Sequence, residues 1–162
     1  MDEYSVLERR ITRLEDERQI ERLKQRYTAY CDAGYDADGI VSLFVPDGRW
    51  ICTPASHGGT AVGHDEMRAF FPTLSASISW AQHFATSPSI QVAEDGKHAV
   101  GTFYLFCLLT GEQADVVIGT YRDTFVKIDG QWYFEELNAT LTQAAPWTDG
   151  WVKSPLARPA TA

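Results

Sequence analysis

The sequence predicts an α+β fold in which helices come first, strands follow, and the helices pack on one face of a curved sheet. Three observations carry this reading. In residues 20–31 the apolar side chains Ile20, Leu23, Tyr27, Tyr30 and Cys31 recur at the three- and four-residue steps of a helix. From residue 79 onward the chain turns into strand-length blocks rich in β-branched and aromatic residues. Those blocks are separated by Asp95-Gly96, Gly111-Glu112 and Asp129-Gly130, whose turn chemistry joins consecutive strands into an antiparallel meander.

Taken in order, residues 5–18 are amphipathic, with Val6, Leu7, Ile11 and Leu14 on one stripe. The apolar phase changes near Asp16, which with Gln19 resembles a capping box, so the chain either starts a second helix or continues one helix against a new partner. That helix ends at the motif YTAYCDAG, where Gly34 supplies a residue tolerant of positive φ. Asp32 is out of place there, because a carboxylate in the last turn opposes the helix dipole at a cost of about 0.3–1 kcal/mol. A short helix is expected over 38–44 with Asp36 as its cap, then a turn at Pro46-Asp47-Gly48 and a short strand over 49–52. The glycine-rich stretch 54–63 reads as an exposed loop, and a third helix starts at His64 and buries Met67, Phe70 and Phe71. Strands follow over 80–86, 89–92, 99–109, 116–127 and 131–141. The organisation is thus an N-terminal amphipathic helix (1–18), an α+β domain (19–143) and a proline- and tryptophan-bearing arm (144–162).

Composition narrows the function. The 162 residues carry a formal charge of −8, which argues against nucleic-acid or anionic-membrane partners. Three scattered cysteines without a CxxC pairing, together with a charged N-terminus, fit a cytoplasmic protein without a disulfide framework. No apolar run approaches the roughly 20 residues of a membrane span. No His/Asp/Glu set has metal-ligand spacing, and no glycine-rich phosphate loop follows a strand, so neither metal nor cofactor is expected.

Few side chains remain for chemistry. His57, His64 and His98 sit where surface placement explains them, whereas His83 lies mid-strand among Trp80, Phe84 and Ile90. A histidine titrates near neutral pH and can act as a general base once a carboxylate orients its ring. Asp32 is the carboxylate of choice. Asp123, alternating with Tyr121 and Phe125, reads as a satisfied structural polar group ahead of a second site residue.

The segments IERLKQRYTAYCDAG, LFVPDGRW, HFATSPSI and IGTYRDTFVKIDGQWYF, in the order helix–helix–strand–helix–four strands, resemble the SnoaL-like family of the nuclear transport factor 2-like superfamily. The resemblance spans about residues 14–141 and is nearest in look to the family's lyases: bile acid 7α-dehydratase, scytalone dehydratase and γ-hexachlorocyclohexane dehydrochlorinase. It implies a cone-shaped sheet, antiparallel or mixed, with three to four helices closing a pocket, and a His–Asp dyad that removes a proton without any cofactor. Carried over by position, it implies catalytic roles for Tyr27, Asp32 and His83. The chain departs where the family's dehydratases bear polar groups, with Cys107, Leu141 and Cys52 at those positions. The implied pocket is therefore apolar, lined by Trp50, Cys52, Phe103, Leu105 and Cys107. A homo-oligomer is expected, a trimer before a dimer, with Val116, Ile118, Thr120, Arg122, Thr124 and Val126 as the strand face that meets a neighbour.

The expected function is a cofactor-independent lyase or isomerase of the dehydratase kind, acting on a small apolar cyclic substrate of steroid, terpenoid or polyketide type. Two alternatives stand beside it. One is a non-catalytic ligand-binding or scaffold protein built on the same cone. The other is a polyketide cyclase or epoxide hydrolase; the latter needs an Arg/Asp trio that Arg49, Arg122 and Asp123 do not readily supply.

Overall fold

The computed structural model describes residues 3–54 and 58–153; His57 and the last part of the arm, 154–162, lie outside the described residues. One unbroken helix, α1 (Glu3–Asp32), runs through the change of apolar phase. Its first half leaves Leu7, Ile11 and Leu14 exposed, while Ile20, Leu23, Tyr27 and Cys31 in its second half are buried against the sheet. The phase changes because the partner changes. Asp16 does not cap a second helix: its buried Oδ1 accepts from Trp132 Nε1 at 3.0 Å and Lys127 Nζ at 2.6 Å, so the sheet supplies the partners that an N-cap would have taken.

Helix α2 (Ala37–Val41) is capped by Asp36, whose Oδ1 accepts from the Gly39 amide at 3.1 Å. It ends before residue 44 because Phe44 already pairs in β1 (Phe44–Thr53). Pro46-Asp47-Gly48 is an irregularity inside this strand, between the pairings Phe44–Phe134 and Arg49–Glu136, and not a turn preceding it. Part of the expected exposed loop is a strand, β2 (Gly59–Val62), antiparallel to β1. Its glycines serve close packing here: a Cβ at Gly58 would lie 2.5 Å from Cys52 Sγ. Helix α3 (Gly63–Ser77) continues through Pro72 and buries Met67 and Phe71, with Phe70 partly buried.

Four long strands complete the fold: β3 (Trp80–Val92), β4 (His98–Thr110), β5 (Ala114–Ile128) and β6 (Gln131–Pro146). A short helix, α4 (Gly150–Lys153), follows. The sheet order is β2-β1-β6-β5-β4-β3, with β1 and β6 parallel and every other neighbouring pair antiparallel, so the sheet is mixed and unclosed. His83, Cys107 and Val117 stand in one register row, and the row Phe84, Phe106 and Ile118 takes the opposite face. The first face meets α1 and α3. The second leaves Phe84, Tyr104 and Phe106 exposed, and Thr120 and Arg122 of the predicted contact set are exposed there too.

Candidate active site

The site is built where α1 stops. The Tyr35 amide donates to Cys31 O and the Asp36 amide to Tyr30 O, both at 3.0 Å, which folds the chain sharply back after the helix. Gly34 takes φ +83° as its identity predicts, but Tyr35 follows with φ +57°. A bulky side chain held in that region costs about 1–3 kcal/mol. The reversal sets Asp32 against β3 and buries Tyr35 to 7 % exposure.

Asp32 receives three hydrogen bonds from two successive residues of β3. Its Oδ1 accepts from the His83 amide at 2.9 Å and from His83 Nδ1 at 2.7 Å, and its Oδ2 accepts from Gln82 Nε2 at 2.8 Å. These donors account for a carboxylate at a helix C-terminus: they offset the unfavourable dipole and fix the side chain. With the carboxylate ionised, Nδ1 carries the imidazole proton and Nε2 is left with its lone pair. The ring-nitrogen hydrogen bond found for His83 among the described residues is that of Nδ1, and the residue lines a cavity. A second carboxylate–histidine pair shows that the contact alone is not a site. His98 Nδ1 lies 2.7 Å from Asp95 Oδ2, but both are exposed on a hairpin, where His98 borders only an open surface groove shared with Arg13, Thr124 and Glu135.

The cavity has a volume of about 410 Å³ and is mostly apolar. Of the five residues expected to bind substrate, Trp50, Cys52, Leu105 and Cys107 line it, as does Leu141. Phe103 does not; its ring packs beside the buried Lys24 ammonium, 5.3 Å from Nζ, so it belongs to the closed end of the core. Tyr27 lines the cavity, but its hydroxyl is already engaged: the oxygen accepts from Trp50 Nε1 at 2.8 Å, and it is hydrogen-bonded to the Cys31 thiol. Burial pushes the thiol of Cys52 up to about 11 and those of Cys31 and Cys107 to about 12, so the two thiols on the wall, Cys52 and Cys107, stay protonated. Asp115 and Gln113, joined by a 3.2 Å hydrogen bond at the β4–β5 turn, are polar residues on the lining.

Three residues escaped the sequence reading. Tyr35 and Tyr121 line the cavity, and no hydrogen bond of either hydroxyl is found among the described residues. Lys24 is fully buried and donates to Asp123 Oδ2 at 2.8 Å, with Nζ 3.1 Å from the centre of the Tyr121 ring. Asp123 is therefore a structural polar group. Its other oxygen accepts from the Asn138 amide at 3.1 Å. A signal for Lys24 existed in its place on the apolar stripe between Ile20 and Tyr27; for Tyr35 there was none. The epoxide-opening trio does not assemble: Asp123 is paired with Lys24, and Arg49 bridges Glu136 at 3.3 Å on the surface.

Among the described residues, no group of three or more His, Cys, Asp or Glu side chains could hold a metal ion, and no helix is long and apolar enough to cross a membrane. Residues 12–138 match the SnoaL-like domain. No curated protein matches the chain. Among solved structures it is similar to a candidate scytalone dehydratase from Novosphingobium aromaticivorans, at 22% identity and TM-score 0.74, over 84% of this chain and 90% of that one. It is similar to the type 3 hexachlorocyclohexane dehydrochlorinase of Novosphingobium barchaimii at 18% identity and TM-score 0.73, over 92% and 99% of the two chains. A candidate aromatic ring hydroxylase from Novosphingobium aromaticivorans matches at 23% identity and TM-score 0.73, over 84% and 96%. At these identities the likeness is one of fold.

Proposed function

The chain belongs to the SnoaL-like domain family, and on that premise we propose that it is a cofactor-independent lyase or isomerase that removes a carbon-bound proton from a small apolar cyclic molecule. The observation that carries this reading is the 2.7 Å contact between Asp32 and His83 Nδ1 at the wall of the apolar cavity. His83 Nε2 is the base. Asp32 fixes the tautomer and stabilises the imidazolium once the proton has moved. The mostly apolar walls keep water scarce around the reacting atoms, which strengthens both interactions. The substrate needs an acidified C–H bond, most simply one next to a carbonyl, on an alicyclic, terpenoid, steroid or polyketide skeleton. Elimination enzymes among the structural neighbours, a candidate dehydratase and a dehydrochlorinase, fit a scaffold suited to proton removal. The exposed Phe84, Tyr104 and Phe106 on the outer face of the sheet support the accompanying proposal of a homo-oligomer, a trimer first.

The test is exchange of the α-hydrogens of tetralone and of a small steroid-ketone panel into deuterated water, followed by proton NMR. The wild-type protein is expected to accelerate exchange, and His83→Ala to return it to the buffer rate. Equal exchange by wild type and His83→Ala would refute the assignment. Tight binding with no exchange by the wild type would favour a ligand-binding cone.

A further inference from the structure

The dyad accounts for the proton and leaves the substrate's oxygen without a partner. Three tyrosines line the cavity, and their surroundings differ. The Tyr27 oxygen is occupied by the Trp50 indole at 2.8 Å, and its hydroxyl also contacts the Cys31 thiol. The Tyr121 ring is committed to the buried Lys24 ammonium, 3.1 Å from its centre. Tyr35 stands edge-on to His83, ring centres 6.0 Å apart and planes at 89°, and no hydrogen bond of its hydroxyl is found among the described residues. It does so from a backbone conformation, φ +57°, that glycine would adopt without strain. Strain at a cavity-lining residue beside the base is a reason to look for a role.

We propose, resting on the assignment of His83 as base, that Tyr35 donates the hydrogen bond to a substrate carbonyl oxygen, so that the substrate class is ketones bearing an α-hydrogen and not oxygen-free halocarbons or hydrocarbons. As the C–H bond breaks, its proton passes to His83 Nε2. The C–H electron pair becomes the carbon–carbon double bond of an enolate, and the carbonyl π pair moves onto oxygen, which accepts the hydrogen bond of the Tyr35 hydroxyl. Burial raises the Tyr35 phenol above its ordinary range, so it keeps its proton and acts as a hydrogen-bond donor. The imidazolium then returns its proton to a different carbon, which isomerises the substrate, or to a departing β-hydroxyl, which leaves as water. Tyr35 thus takes the donor role, in place of Tyr27, to which the family resemblance gave a catalytic role.

The experiment uses the full chain with methyl naphthyl ketone and its oxygen-free isostere isopropylnaphthalene as probes. The wild type is expected to bind the ketone about tenfold more tightly than the hydrocarbon, the worth of one hydrogen bond in an apolar site. The bound carbonyl stretch should lie at lower wavenumber than in cyclohexane. Tyr35→Phe keeps the ring against His83; it should abolish both the ketone preference and the band shift, leave hydrocarbon affinity unchanged, and slow tetralone exchange about a hundredfold. A shift that survives Tyr35→Phe, one lost in Tyr27→Phe or Tyr121→Phe instead, or no ketone preference in the wild type overturns the proposal. Because probe binding does not need turnover, a failure of the His83 assignment would show only in the exchange assay.

Discussion

Replacing Lys24 by Met isolates the energetics of the closed end of the core. Lys24 and Asp123 are 1% and 0% exposed and meet at 2.8 Å, so the substitution strands a carboxylate whose remaining partner is the Asn138 amide. Breaking a buried pair from one side costs about 3–5 kcal/mol. The carboxylate has one escape, protonation, which at neutral pH costs about 4 kcal/mol from its ordinary value near 3.8. The two routes give the same size of deficit. For a chain of this length each kcal/mol moves the midpoint by about 2–4 °C, so Tm should fall by roughly 10–15 °C. The pH dependence is specific. Burial already raises Asp123, and in Lys24→Met its folded value rises further above the unfolded one. Between those two values the folded chain holds a proton that the unfolded chain has released, so stability falls as pH rises and the deficit narrows on acidification towards pH of about 4. The assay is guanidinium unfolding followed by tryptophan fluorescence at about pH 7 and about pH 5, with Lys24→Met/Asp123→Leu beside the single variant. The double variant should recover much of the loss. A single-variant deficit below about 1 kcal/mol, or one that does not narrow at the lower pH, refutes the reasoning.

Three further outcomes are expected. Asp32→Asn keeps an acceptor for the His83 amide but removes the anion, so tetralone exchange should fall by about a thousandfold or more while urea unfolding shifts little. Trp50→Phe removes the indole donor to the Tyr27 hydroxyl and should cost about 1–2 kcal/mol in the same unfolding experiment, because the buried oxygen loses its partner. All three cysteines are buried and their thiols raised, Cys52 to about 11 and Cys31 and Cys107 to about 12, so a disulfide reagent near pH 8 should react at least about a hundredfold more slowly than with free cysteine until guanidinium is added.

What could be read from the chain was what local periodicity and turn chemistry determine. The strands from Trp80 onward and the buried stripe of α1 follow from spacing alone, and Asp32 was conspicuous because its charge opposed its helix position. Features set by distant partners were hidden. Whether Asp16 capped a helix or lay inside one depended on Lys127 and Trp132, more than a hundred residues away. Lys24 breaks an apolar stripe, and its reason, Asp123, lies 99 positions on. The stretch containing β2 reads as a loop because its glycines signal flexibility, when here Gly58 is required by the closeness of Cys52. Tyr35 could not be found at all: nothing in its identity announces a left-handed backbone, and the bonds that impose it come from Tyr30 and Cys31 carbonyls freed where the helix ends.

Among the described residues the strand that carries His83 is at the edge of the sheet and pairs only with β4, so its outer margin has no strand partner. Such a margin is a template for another chain's strand. At residue 83 the outward amide is taken by Asp32 Oδ1 at 2.9 Å, the same atom that holds the imidazole. On the proposed function, one oxygen would therefore both orient the base and occupy an amide of the sheet margin. If the proposed function holds, solubility and rate depend on the same atom, and a variant that frees it, such as Asp32→Ala, stands to lose colloidal stability together with turnover, a loss that light scattering would register where an activity assay alone would not.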